Sequence, residues 1–261
     1  MRVLVYFTGT GVSKPSGAPI FRGSNGLYKN PKIFRYISLE CREDPECRLK
    51  SVKRYLSYAA LVSKLKPNAY HSRVRDLDYD KIYVITQTLD DLHDIFSGDN
   101  IVVRHIHGIL RRRIIGGIVE ARKREGYEAI YLDNEVGRII EELSKREDLK
   151  EAVERGEIDL EGDFSLRRPD VRFFGERVDY PDEILKEIEG SEVDLVIAGT
   201  AAIVYPAAQV PYDIAERASI RKTIVVCTTP KYTDLPNFDF VYYRDKTPEA
   251  VVEEIKKKLS V

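Results

Sequence analysis

The chain has 261 residues, 33% of them charged, and a formal net charge of −1. That balance gives no general reason to bind nucleic acid or a membrane surface, and no apolar run is long enough to span a bilayer. The length suffices for one sizeable core with a smaller appendage. The sequence opens on an apolar strand with no leader-like stretch, so the cytoplasm is the expected setting. High charge, one Met, no Trp and only Gln87 and Gln209 as glutamines fit a heat-adapted protein, in which ion pairs grow and labile residues shrink.

Taken in chain order, the apolar run 3–7 predicts a strand that enters a loop with Gly9 and Gly11. In an open α/β sheet such a corner is where a dinucleotide pyrophosphate meets bare backbone N–H groups. Gly-x-Gly alone is weak evidence, because many tight turns need it. The third glycine of the dehydrogenase fingerprint is absent, since Lys14 stands there, and no acidic ribose ligand follows at the usual spacing. Apolar positions at helical spacing run from Leu49 to Leu65. Further strands are predicted over 81–85, 101–105, 129–132, 194–198, 223–227 and 240–243, with helices over 117–125, 135–155 and 248–259. The last carries Glu early and Lys late, as the helix dipole favours. Alternating strands and helices predict an α/β fold: a Rossmann-like, mostly parallel sheet with helices on both faces.

Residues 9–23 read G-T-G-V-S-K-P-S-G-A-P-I-F-R-G, which resembles the N-terminal loop of the sirtuins, the NAD-consuming protein deacylases. Other motifs follow in order. Pro67-Asn68-Ala69-Tyr70-His71 is similar to the family's helix-starting P-N-x-x-H, and Thr86-Gln87-Thr88-Leu89-Asp90-Asp91-Leu92-His93 to T-Q-N-x-D-x-L-H. His107-Gly108 resembles the catalytic H-G. Arg168-Pro169-Asp170-Val171-Arg172-Phe173-Phe174-Gly175-Glu176 resembles R-P-x-V-x-x-F-G-E, and Gly199-Thr200-Ala201 with 204–208 resembles G-T-S-x-x-V-x-P-A-A. The likeness spans nearly the whole chain except about 109–165.

The resemblance implies NAD as cofactor and an acyl-lysine protein or peptide as partner. In that chemistry the acyl oxygen attacks C1′ of the nicotinamide ribose, nicotinamide leaves, and a histidine takes a proton from the ribose hydroxyls. It assigns that histidine to His107, with His105 as the fallback if the strand continues. Histidine suits the task because its ordinary pKa lies near neutrality. Gly9, Thr10, Gly11, Ser13, Phe21, Arg22, Gln87, Thr88, Asp90, Gly199, Thr200 and Ala201 are the implied cofactor-binding residues. Val171, Phe173, Gly175 and Glu176 are the implied substrate-binding residues, on a strand that pairs with an extended peptide.

The chain also departs from the family. The region 109–167 has none of the C-x-x-C pairs of the usual zinc ribbon, and the cysteines are Cys41, Cys47 and Cys227 only. No metal is expected, because a structural zinc needs four close ligands; a small helix-rich module should stand in its place. Cys41 and Cys47 are read as unpaired thiols in preference to a disulfide. Thr88 replaces an Asn, offering one hydroxyl without an amide fork, and Ala201 replaces a Ser. Cys227-Thr228 stands where relatives put Asn. Tyr55 and Tyr58 have no Arg three residues on, so an acetyl or neutral longer acyl group is favoured over an acidic one. The expected domains are 1–108 with 168–261, binding NAD, the helical stretch 26–66 joining a small domain, and 109–167 as an insertion. The expected function is NAD-dependent protein-lysine deacylation; the alternatives are an NAD glycohydrolase or a weakly catalytic NAD or ADP-ribose binder.

Overall fold

The order of strands explains where a ligand can sit. A computed structural model describes residues 1–23, 26–110, 123–124, 127–130, 134–156, 167–169, 171–228 and 231–260. The described strands in chain order are β1 (Val3–Thr8), β2 (Lys81–Thr86), β3 (Ile101–His105), β4 (Lys123–Arg124), β5 (Tyr127–Ile130), β6 (Arg167–Pro169), β7 (Glu192–Ala198), β8 (Ser219–Cys227) and β9 (Phe238–Tyr242). Six form one sheet in the order β3-β2-β1-β7-β8-β9, and every pair in it is parallel. The chain winds outward from β1 in one direction through β3 and then returns to β7 on β1's other side. The carboxyl ends of β1 and β7 therefore flank the topological switch point, the position where doubly wound sheets bind ligands.

The side-chain period of two sends alternate residues of β1 to opposite faces. Val3, Val5 and Phe7 pack with Ile184, Leu185 and Ile214 from helices Asp182–Glu187 and Val210–Arg217. Leu4 and Tyr6 pack with Val251, Val252, Ile255 and Leu259 from helix Pro248–Leu259. Both faces are dry, so the central strands read as unbroken apolar runs. Each such aliphatic side chain contributes about 1.5–3 kcal/mol on burial.

A third core lies outside the sheet. Val52, Leu56 and Ala60 of helix Pro45–Ser63 pack with Leu143 and Val153. The expected single helix over 135–155 is two, Asn134–Ser144 and Leu149–Arg155, and Arg146 forks onto Asp148 at the break with distances of 2.9 and 2.8 Å. The helix expected over 117–125 fails at 123–124, where β4 pairs antiparallel with β5; the rest of it lies outside the described residues. β5 also pairs parallel with β6, so this module carries a small sheet as well as helices. Of the strand expected over 129–132, residues 129–130 belong to β5 and the rest lie outside the described residues.

Cys41 and Cys47 are joined in a disulfide, contrary to the reading of two thiols. The cause is the turn between them. Helix Leu39–Glu43 stops before Pro45, and the Asp44 side chain accepts from the N–H groups of Glu46 and Cys47 to start the next helix. That reversal brings the two Cα atoms to 5.1 Å, within disulfide reach. Among the described residues no helix is long and apolar enough to cross a membrane.

Candidate active site

At the switch point the loops after β1 and β7 are bonded to each other. Gly9 N–H donates to Ala198 O and Gly11 N–H to Gly199 O, both at 2.9 Å. A Cβ on Gly9 would lie 2.6 Å from Gly199 O, one on Gly11 would lie 2.7 Å from Gly199 Cα, and one on Gly199 would lie 2.5 Å from Val12 N. Gly199 also holds φ +66°, a left-handed conformation that favours glycine. These glycines are thus required first by the contact between two loops. The immediate physical reason for glycine at these three positions is backbone packing.

The joined loops form one wall of a cavity of about 730 Å³, a size typical of small-molecule sites. Of the expected cofactor residues, Gly9, Thr10, Gly11, Phe21, Arg22, Gln87, Gly199, Thr200 and Ala201 line it. His107 lines it too, with Val171, Phe173, Gly175 and Glu176. Gln87 Nε2 donates to Thr200 Oγ1 at 2.9 Å, which ties the end of β2 to the loop after β7. Arg22 lies over the rings of Tyr28 and Phe174, 5.6 and 5.8 Å from their centroids.

Ser13, Thr88 and Asp90 are fully buried and belong to a polar layer behind this wall. Thr8 Oγ1 donates to Thr86 Oγ1 at 2.8 Å, and Thr86 Oγ1 meets Thr88 Oγ1 at 2.9 Å. His93 Nε2 lies 3.3 Å from Thr8 Oγ1 and its ring 4.7 Å from that of His71. His71 Nε2 in turn lies 3.2 Å from Ser13 Oγ. The Ser13 hydroxyl and the Leu92 N–H favour the charged form of Asp90, yet burial outweighs them and raises its pKa. Burial, then His71 and His105, hold His93 well below its usual pKa, so this layer carries a neutral imidazole at His93. The Thr88 hydroxyl, implied to bind the cofactor, is spent on its threonine neighbour and the Asp90 carbonyl.

Two histidines at the end of β3 have different surroundings. His105 Nε2 meets Asp94 Oδ2 at 2.7 Å and is not among the residues that line the cavity. The strand stops at His105, so alternation no longer relates it to His107. His107 faces the cavity, and burial lowers its pKa to about 4. Its carbonyl accepts from Arg172 N–H at 2.8 Å, and Gly108 bridges Val171. The following segment, expected as a strand, is an irregular strap held on both sides. Phe174 N–H donates to Ile37 O at 2.8 Å, and Phe173 N–H to Glu176 Oε2 at 2.9 Å. Gly175, at φ +92°, makes the turn.

Lys231, Tyr243 and Lys246 also line the cavity, and no motif pointed to them. They follow β8 and β9, so the rule that ligands gather at strand carboxyl ends was the available signal. Lys231 Nζ donates to Ala201 O, which closes the wall on that side. Cys227 and Thr228 lie there as well.

A family model described as the Sir2 family matches residues 9–206. An NAD-dependent protein deacylase of Thermococcus kodakarensis is 32% identical over 264 residues, covering 98% of this chain and 91% of the relative. NAD-dependent protein deacylase 1 of Archaeoglobus fulgidus is 29% identical over 272 residues, covering 99% and 95%. Among solved structures, a mutant Sir2 homologue in complex with ADP-ribose is 25% identical with a TM-score of 0.63, covering 99% of this chain and 94% of that one. A second such complex is 26% identical with a TM-score of 0.62 over the same shares. A match that runs from the first glycine corner to the loop after β7, with relatives aligned nearly end to end, makes this chain a member of the Sir2 family.

Proposed function

We propose that the protein is an NAD-dependent protein-lysine deacylase that transfers an acyl group to ADP-ribose and releases nicotinamide. The carrying observation is that one cavity is lined by the glycine corners, by His107 and by the strap 171–176. The residues fit the cofactor. The corners are narrow enough to exclude any Cβ, and Lys14 and Arg22 supply positive charge at the wall, with no carboxylate partner among the described residues. An Asp90 oxygen behind the wall has no hydrogen-bond partner among the described residues.

NAD, when bound, supplies an electrophilic ribose carbon and a leaving group. The N–H groups of Gly9 and Gly11 are spent on Ala198 and Gly199, so Thr10 and the stretch Gly199–Ala201 would hold the pyrophosphate against the side-chain-free corners, and Gln87 fixes the relation between the two loops. Phe21 covers the reacting end and excludes water. His107 stays neutral because its surroundings disfavour the imidazolium, which leaves a ring nitrogen able to accept a ribose hydroxyl proton. Val171, Phe173, Gly175 and Glu176 seat the acyl-lysine stem of a protein or peptide, with Phe173 stacked on Tyr55 at 6.2 Å between centroids. The NAD-binding unit comprises 1–108 and 168–261, with 26–66 joining 109–167 as the small domain. Composition supports a heat-adapted source, and the near-zero net charge gives no reason for direct nucleic-acid binding; intracellular disulfides are compatible with heat adaptation.

The test is nicotinamide release from NAD with and without an acetyl-lysine peptide. Peptide-dependent release supports deacylation. Release without peptide makes the protein a glycohydrolase, and ADP-ribose binding with no release makes it a binder only.

A further inference from the structure

The cavity runs across the carboxyl edge of the whole sheet. His107, which follows β3, lines one end, and Lys246, which follows β9, lines the other. β3 and β9 are the two edge strands. A pyrophosphate at the switch point between β1 and β7, with its reacting ribose toward His107, leaves the adenosine half over the ends of β8 and β9.

That end carries charge of one sign. Lys231 and Lys246 line it, and among the described residues no carboxylate does. The acidic side chain on the cavity lining, Glu176, belongs to the strap beside His107 and accepts from Phe173 N–H. Register places the two lysines on neighbouring loops. Cys227 pairs with Tyr242 across β8 and β9, and each lysine follows a little beyond that pair. Lys246 is already paired with Glu254 at 2.5 Å. Lys231 Nζ donates to the neutral Ala201 O, and its charge has no carboxylate partner among the described residues.

The wall beside Lys231 suits a free ribose poorly. Cys227 lines it, and a thiol is a weak hydrogen-bonding group for a hydroxyl. Lys231 stands next to that sulfur: its N–H and its charge both favour the thiolate, although burial outweighs them and raises the Cys227 pKa. Thr228 adds a hydroxyl at the same wall. In doubly wound folds an acidic side chain marks a free adenosine 2′-hydroxyl, whereas a cation accommodates a 2′-phosphate. The acid is missing here from both the expected spacing and the cavity lining, and the cation is present.

We infer that the adenosine end of the cavity accepts a 2′-phosphorylated adenine dinucleotide, with Lys231 as the ion partner of the phosphate and the Thr228 hydroxyl as a second donor. The inference rests on the proposed use of the cavity for NAD. It adds a second ligand class, NADP, that competes for the same space.

The experiment is calorimetric titration of the protein with NAD and with NADP, in wild type, Lys231→Gln, Lys231→Arg and Cys227→Asn. Wild type should bind NADP within about tenfold of its NAD affinity. Lys231→Gln should lower NADP affinity about five- to tenfold more than NAD affinity. Lys231→Arg keeps the charge and should keep the ratio near that of wild type. Cys227→Asn offers a ribose hydroxyl an amide and should move the ratio toward NAD. Added salt should weaken NADP more than NAD in wild type, and Lys231→Gln should remove most of that difference. NADP affinity more than about a hundredfold below that for NAD overturns the inference. An equal loss for both dinucleotides in Lys231→Gln overturns it too and assigns the lysine to the pyrophosphate. NAD binding without NADP binding sinks this inference alone, whereas absence of binding by NAD, NADP and ADP-ribose removes the NAD reading and this inference with it.

Discussion

The N–H of Gly11 donates to the carbonyl of Gly199 at 2.9 Å, so the ends of two strands far apart in sequence form a single surface. The bond leaves no room for a side chain on either partner. Gly199→Ala must place a Cβ 2.5 Å from Val12 N while holding φ +66°. We expect it to cost roughly 1–3 kcal/mol of stability and to weaken ADP-ribose binding at least about tenfold. Gly11→Ala should do the same with less strain, since its φ is ordinary. Thermal unfolding with and without ADP-ribose checks both; an unchanged ligand-induced shift would separate this contact from the binding site.

His107 is held in its neutral form by burial, with a pKa of about 4 against an ordinary 6.5. The folded state therefore binds fewer protons than the unfolded state between those values. Stability tied to this group is complete above about pH 6.5 and falls as the pH drops toward 4. In His107→Phe that dependence should disappear, so the variant's unfolding midpoint should decline less than that of wild type over this window. The same variant should lose at least about a hundredfold in turnover with ADP-ribose affinity retained. His105, bonded to Asp94, is the contrasting position: His105→Asn should leave measurable turnover. If His105 proves essential and His107 dispensable, the roles are reversed.

These two histidines show what a sequence can disclose. The main-sheet strands were legible because burial on both faces gives near-continuous apolar runs, and the corner glycines because backbone packing tolerates nothing else. The polar layer at Ser13, Thr88 and Asp90 was legible only as residue type. Whether a hydroxyl faces the cavity or a neighbour depends on hydrogen bonds between strands, and these leave no periodic trace. The disulfide was hidden for a similar reason: it depends on how sharply Asp44 and Pro45 turn the chain. The strap 171–176 resembled a strand by motif, but its partners Ile37 and His107 come from distant parts of the chain.

Thr88 is the position where the family pattern and the structure pull apart. Asn would restore the family residue, yet the site is 0% exposed and the hydroxyl links Thr86 to the Asp90 carbonyl. Asn is larger and would need its amide satisfied in the same space. Thr88→Asn should lower stability by about 1–3 kcal/mol and reduce turnover, whereas Thr88→Ser should retain most of both. A gain in turnover for Thr88→Asn would mean that the cavity wall opens toward residue 88 in the working enzyme.

The disulfide supports the strap through its neighbours. Phe174 N–H donates to Ile37 O, and Ser38, which bridges Phe174, caps the helix that carries Cys41. A separation of six residues between the cysteines corresponds to a loop-closure effect of about 2 kcal/mol. Reduction, or the pair Cys41→Ala with Cys47→Ala, should lower the unfolding midpoint by several degrees. If the link also holds the strap, KM for an acyl-lysine peptide should rise while ADP-ribose affinity stays constant, because the glycine corners lie on the sheet and not on this helix pair. A chelator should cause neither change, since among the described residues no cluster of three or more His, Cys, Asp or Glu could hold a metal. Equal loss of peptide and ADP-ribose binding on reduction would show that the disulfide supports the whole cavity and not the strap alone.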